Sequence, residues 1–161
     1  MLRTKRRAQL DVDLCDAGGG ITQLLPVLTG LALAVRWKLG GPPILAVEEP
    51  ESHLHPRLQR ALTARLCSVA ASDQAVRLVL ETHSEQVLLG VKLEIARGRI
   101  DPEDVLVYWV HQLESGESIA EPVRFDREAQ PIGSWPPGFF DDHVEVAREI
   151  LEARQAIPAG R

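Results

Sequence analysis

The 161 residues are enough for one domain of ordinary size, and 45% of them are apolar, so a sizeable core is expected, built from aliphatic side chains because aromatics make up only 4%. The formal net charge of -5 excludes a wholly basic nucleic-acid binder and leaves open only a local basic patch. Arg3, Lys5, Arg6 and Arg7 form such a cluster, and a solvated terminus is a simpler reading of it than a phosphate-binding arm. No apolar run approaches the length of a membrane span, and no apolar segment follows the basic start as it would in a signal peptide. A cytoplasmic protein is therefore expected. Cys15 and Cys67 lie far apart among apolar neighbours and are expected to be reduced, buried thiols.

In chain order, Leu10, Val12 and Leu14 alternate with Asp11 and Asp13, the pattern of a half-exposed strand that Gly18-Gly19-Gly20 breaks. A helix is predicted over Thr22–Leu39, with Leu24, Leu28, Leu31, Val35 and Leu39 on one face and Pro26 tolerated only in its first turn. Gly40-Gly41-Pro42-Pro43 ends it. Ile44–Val47 is a short apolar run of the kind that suits a strand buried on both faces. It leads directly into Glu48 and Glu49, after which Pro50 ends the pairing. Pro56 fits the first position of a second helix whose apolar stripe is Leu58, Leu62, Leu66 and Val69. Val76–Leu80 is a second core strand, ending in Glu81-Thr82-His83-Ser84. A third helix carries Val87, Leu88, Val91 and Ile95, with Gly98 as its cap.

This strand–helix–strand order predicts a parallel pair, because a crossover helix returns the chain to the same end of the sheet. Two acids at the carboxyl end of a core strand sit where α/β proteins place ligand chemistry, and Glu48, Glu49 and His83 would converge there. Further on, Val105–Val110 and Ile119–Phe125 read as a hairpin with Pro122 on an edge. The aromatic turn Trp135–Phe140 is expected to cover that hairpin. A final helix follows with Val144, Ala147, Ile150 and Leu151 inward, and the end from Ile157 should fray. The boundaries that follow are residues 1–103 for an α/β portion and residues 104–161 for a small C-terminal domain.

The block I-L-A-V-E-E-P-E-S-H-L-H-P resembles the Walker B strand and D-loop of ABC-type ATPases, most closely the RecF/OLD-like AAA family ATPases of bacterial defence and DNA repair. L-V-L-E-T-H-S-E-Q-V-L resembles their switch-histidine strand. D-A-G-G-G-I-T-Q-L-L-P-V-L resembles their signature motif, and W-P-P-G-F-F-D-D a small C-terminal domain found in one branch. The resemblance implies a parallel-sheet, RecA-like/ABC ATPase lobe that is partial, with the P-loop half missing, followed by a β-hairpin and helix. It implies that Glu48 supports Mg²⁺, directly or through water, in a place where the family usually holds the shorter Asp. Glu49 would be the catalytic glutamate that polarises the attacking water, and His83 the switch histidine at the γ-phosphate. Gly18, Gly19, Gly20 and Thr22 would form the signature loop that closes on ATP held by an opposite subunit. Glycines permit close backbone approach, and N–H groups at a helix start favour an anion. His53 and His55 beside these acids invite a metal-site reading. Pro56 suggests instead that they shape the start of the second helix and, by resemblance, a subunit contact.

A P-loop needs G-x-x-x-x-G-K-S/T, whose lysine and backbone hold the phosphates. The three lysines are followed by Arg6, Leu39 and Leu93, so none belongs to such a motif. The expected partners are therefore ATP and a P-loop-bearing N-terminal half or second subunit, with a homodimer as the full-length form. Nucleic acid finds no support in the net charge. Three readings stand: an ATPase module inactive alone, a non-catalytic interaction subunit of a split ATPase, and a metal-dependent hydrolase using the Glu/His cluster.

Overall fold

A computed structural model describes residues 18–36, 44–72, 76–136 and 142–155. The predicted strand over Leu10–Leu14, the basic cluster, Cys15, Leu39 and the Gly40–Pro43 stop lie outside these residues, as do most of the aromatic turn and the terminal five residues. The described elements are helix α1 (Gly19–Val35), strand β1 (Ile44–Glu48), helix α2 (Pro56–Ala70), strand β2 (Arg77–Glu81), helix α3 (Glu85–Ala96), strands β3 (Val107–Gln112) and β4 (Ser118–Val123), and helix α4 (Asp142–Gln155). A single 3-10 turn, Pro102–Asp104, stands between α3 and β3. The architecture is α/β, a small parallel sheet with helices, as expected of a partial ATPase lobe. The chain forms two compact units, one of residues 1–105 and 125–130, the other of residues 106–124 and 131–161.

In the first unit β1 and β2 pair in parallel, with Ala46 opposite Val79 and Glu48 opposite Glu81. Leu45, Val47, Leu78 and Leu80 face a core of Val27, Leu31 and Ala34 from α1, Leu62, Leu66 and Val69 from α2, and Leu54 and Val76. A Cβ added at Gly30 of α1 would stand 3.1 Å from a Leu45 methyl, so the helix lies close against β1. Burial on both faces of β1, expected from its apolar run, is not found. Alternate residues are exposed in both strands, the apolar Ile44 (60%) and Val79 (59%) among them. A run of four apolar residues fixes that a strand forms but not how many of its faces are covered. Here the core helices occupy one face.

The helices differ from expectation in detail. α1 begins at Gly19, and Pro26 lies inside it, so the Thr22 carbonyl has no helical N–H to accept. Its buried residues are Val27, Leu31 and Ala34, and Leu28 points outward. In α2 the stripe is Leu62, Thr63, Leu66, Cys67 and Val69, and Leu58 is exposed. A Cβ on Gly90 of α3 would meet Thr63 Cβ and Cγ2 at 2.9 Å, so glycine lets α3 pack directly on α2. Gly98, at φ 64, ends α3 as its sequence position suggests.

In the second unit β3 and β4 form an antiparallel hairpin, with Tyr108 opposite Pro122 and Gln112 opposite Ser118. The expectation that α4 turns Val144, Ala147, Ile150 and Leu151 inward is overturned for the last three, which are exposed, as is Val146; the Val144 side chain lies outside the described residues. The helical spacing of these residues defines a stripe, but among the described residues nothing covers it. Across all described residues no helix is long and apolar enough to cross a membrane.

Candidate functional site

The carboxyl ends of β1 and β2 deliver their polar residues to one edge because the strands are parallel. The last backbone bond of the pair runs from Glu49 N to Glu81 O, 2.9 Å. Glu49 adopts φ 42, a left-handed conformation that costs a residue with a Cβ about 1–3 kcal/mol. His53, four residues on, is also left-handed at φ 61. Such geometry aims the Glu49 carboxylate out of the strand direction. Its Oε2 accepts from Ser52 Oγ at 2.8 Å, which leaves Oε1 facing His83 Nε2 at 3.8 Å. That gap exceeds a hydrogen bond, and a water bridging the two would reach both. Glu81 Oε1 stands 4.0 Å from the same imidazole nitrogen. All three side chains are half-exposed or more, so the cluster is open to solvent and to a ligand.

Behind this open cluster lies a closed one. Glu51 is buried at 6% exposure. Its Oε1 accepts from Thr82 Oγ1 at 2.5 Å and from the His83 backbone N–H at 3.2 Å, and its Oε2 is buried with no partner among the described residues. His55 accepts from Arg57 N through Nδ1 and caps α2, so it shapes the start of that helix. Ser84 caps α3 in the same way by accepting from Gln86 N.

The glycine turn is built against the same loop. Gly18 precedes α1 at φ 83, and its carbonyl accepts from Ile21 N. A Cβ on Gly20 would lie 2.9 Å from the His53 carbonyl oxygen and 3.2 Å from a Leu54 methyl, so only glycine fits there. Gly19 faces the His53 ring at ordinary contact distance. Thr22 is exposed and spends its hydroxyl on Gly19 O, 2.8 Å. The structure thus brings Glu49 and His83 together and sets Gly19 and Gly20 on the His53–Leu54 loop. Glu48 ends β1 on the exposed face beside Glu81. Sequence reasoning missed Glu81, Thr82, Ser84 and Gln59, and it placed Glu51 only in the metal-site reading of His53 and His55, not in the hydrogen bonds it makes here. The signal for Glu81 was its place at the end of β2, which a parallel register sets opposite Glu48.

The donor set suits a hard cation in a limited way. Exposed carboxylates at Glu48 and Glu81 are oxygen ligands, and Mg²⁺ is commonly held by one or two of these with water and phosphate completing the shell. No group of three or more His, Cys, Asp or Glu residues that would hold a metal by protein ligands alone occurs among the described residues. For the phosphates the fit is poorer: the edge is acidic, and like charges a few ångströms apart repel an anion unless a cation intervenes.

A parallel α/β lobe with polar residues at the carboxyl ends of its strands places ligand chemistry at that edge, and a family match makes it an AAA-type ATPase-like module. A family model described as "AAA domain, putative AbiEii toxin, Type IV TA system" matches residues 3–89, more than half of the chain, and the chain belongs to that family. No curated protein and no solved structure matches it.

Proposed function

We propose that this chain is the Walker B and switch-histidine portion of a RecF/OLD-like AAA family ATPase that completes its active site with a P-loop supplied by an N-terminal half or a second subunit. The observation that carries the reading is the approach of Glu49 Oε1 to His83 Nε2, 3.8 Å apart at the carboxyl edge of a parallel pair. Bound Mg-ATP would supply the γ-phosphoryl group and the metal that neutralises its charge. Glu49, with one oxygen held by Ser52, orients the attacking water through the other. His83, whose Nε2 lies 3.8 Å from Glu49 Oε1, would donate a hydrogen bond to the γ-phosphate. Glu48 would hold the metal, directly or through water, and Gly18, Gly19, Gly20 and Thr22 would face a γ-phosphate across a homodimer. We assign residues 1–103 to the ATPase portion and residues 104–161 to a separate C-terminal domain, in a cytoplasmic protein. The family's description names a toxin of a type IV toxin–antitoxin system, which favours a defence setting over DNA repair.

The test is reconstitution. The purified 161-residue chain alone should not turn over ATP. Mixed with a P-loop-bearing partner it should, and Glu49→Gln and His83→Ala should each remove the gain by about a hundredfold or more, the scale of losing a preorganised group at a phosphoryl transition state. Turnover by the isolated chain, or no gain on mixing, would overturn the proposal. The acidic strand edge, which on its own repels phosphate, favours a second reading for the chain by itself, a non-catalytic interaction subunit. Mg-ATP binding by the mixture without hydrolysis would select it.

A further inference from the structure

The backbone ladder that aligns β1 with β2 ends at Glu49 N to Glu81 O, one residue short of Thr82 and two short of His83. Beyond that bond a ring of hydrogen bonds takes over. Leu54 N donates to Glu51 O (3.0 Å), and Leu54 O accepts from Gln59 Nε2 on α2 (2.9 Å). Gln59 Oε1 accepts from Ser84 Oγ (2.6 Å), Ser84 N donates to Thr82 Oγ1 (3.0 Å), and Thr82 Oγ1 donates to Glu51 Oε1 (2.5 Å). The ring closes on the residue where it began. The His83 N–H hangs from it through the same Glu51 oxygen.

We propose that Glu51 and Gln59 are positioning residues: through this ring they set where His83 stands relative to Glu49. Two arguments support this. A buried carboxylate oxygen without a partner is costly, so Glu51 is poorly explained as a packing residue. Gln59 lies on α2, outside every motif of the strand edge, yet each end of its amide is spent on a different strand-end loop, Leu54 on one side and Ser84 on the other. Interlocked bonds of this kind restrict a site more than isolated pairs do, because no member moves without disturbing its neighbours.

Amide hydrogen exchange on the full 161-residue chain tests the placement without any nucleotide. Glu51→Ala should speed exchange at the His83 amide about tenfold, the protection one buried hydrogen bond confers, and Gln59→Ala should speed it severalfold. Glu51→Gln keeps a carbonyl oxygen for both donors and should restore protection to within about threefold of wild type. The Glu49 amide and the Leu66 amide inside α2 should not change in any variant. An unchanged His83 amide in Glu51→Ala, or equal acceleration at all three amides, would overturn the proposal. The functional arm rests on the ATPase reading above: in the reconstituted enzyme Gln59→Ala should lower kcat about tenfold with KM for ATP unchanged. A kcat equal to wild type would refute the positioning role. Absence of turnover in the reconstituted wild type would instead strike the ATPase reading, and the exchange pattern would still decide the placement.

Discussion

Among the described residues two pairs of strands of nearly equal length form the sheets, and they do opposite things with their ends. In the parallel pair, β1 and β2 are joined through α2, so residues as distant as Glu49 and His83 arrive at one edge. In the hairpin, β3 and β4 are joined by a tight turn. Leu113 N donates to Glu117 O there and Gly116 N to Leu113 O, so the strand ends meet only their sequence neighbours. The difference is one of topology before chemistry. A parallel connection needs a crossover, and the crossover gathers remote polar residues at a common edge; a hairpin spends its end on the turn itself. Both pairs leave alternate residues exposed, Ile44 and Val79 in the parallel pair and Tyr108 and Val110 in the hairpin, and the parallel pair sets its other face on an aliphatic core drawn mainly from two helices.

The most direct way to break this comparison is to cut equally into both regions. Leu66 is 2% exposed in the core beneath β1 and β2, and Leu66→Ala should cost about 2–5 kcal/mol. Val110 is 61% exposed, and Val110→Ala should stay within about 0.5 kcal/mol. Urea unfolding of each variant reads the contrast. A large loss at Val110 would mean that the hairpin face is covered in solution.

A smaller effect sharpens the account of how α2 and α3 are held. Helix propensity alone would make Gly90→Ala stabilising by about 1 kcal/mol. The contact of the added Cβ with Thr63 at 2.9 Å opposes this, and overpacking of a buried helix contact costs about 1–3 kcal/mol. The expected outcome is net destabilisation, with part of it recovered when Thr63→Ser removes the methyl at the clash. A stabilised Gly90→Ala variant would show that the helices can part at little cost.

The legible part of the fold was the part with strong punctuation. Gly18-Gly19-Gly20, Pro50, Pro56 and Gly98 marked the ends of elements, and the β1–α2–β2 order predicted the parallel register that the structure has. Faces were less legible. Leu28 and Leu58 fit the helical spacing of their stripes but are exposed, because the stripe of a helix fixes a direction only when the neighbour that covers it is known. In the candidate site, Glu49 and His83 could be chosen because the crossover brings both strand ends to one edge and because their segments resemble the Walker B and switch-histidine motifs of a known ATPase family. Glu51 could not be separated from its acidic neighbours, since it differs from Glu49 by burial and not by type. Gln59 carried no signal at all: its role depends on a contact with Ser84 across 25 residues that no spacing rule foresees.

The last test leaves stability at neutral pH untouched and asks only whether the covered side of the first unit is closed to reagents. Cys67 is buried in α2, and its pKa is raised from 9.0 to about 11, first by burial and then by the charge of Glu94, itself paired with Arg97 and Arg99. The thiolate is the nucleophile, so a rise of that size leaves about a hundredfold less of it at pH 8. In a Cys15→Ser background, alkylation of Cys67 by iodoacetamide should therefore be at least that much slower in buffer than in urea. A cysteine introduced by Val110→Cys should react at nearly the same rate in both. The folded state holds the Cys67 proton more tightly than the unfolded chain does. Its contribution to stability is accordingly complete below pH 9 and is lost as the pH rises toward 11. Glu94→Gln removes the lesser cause and leaves burial, so the Cys67 pKa should fall but stay above 9.0. Equal labelling of Cys67 with and without urea would mean that α2 opens as readily as the hairpin face is exposed, and the contrast between the two regions would fail where it is drawn most sharply.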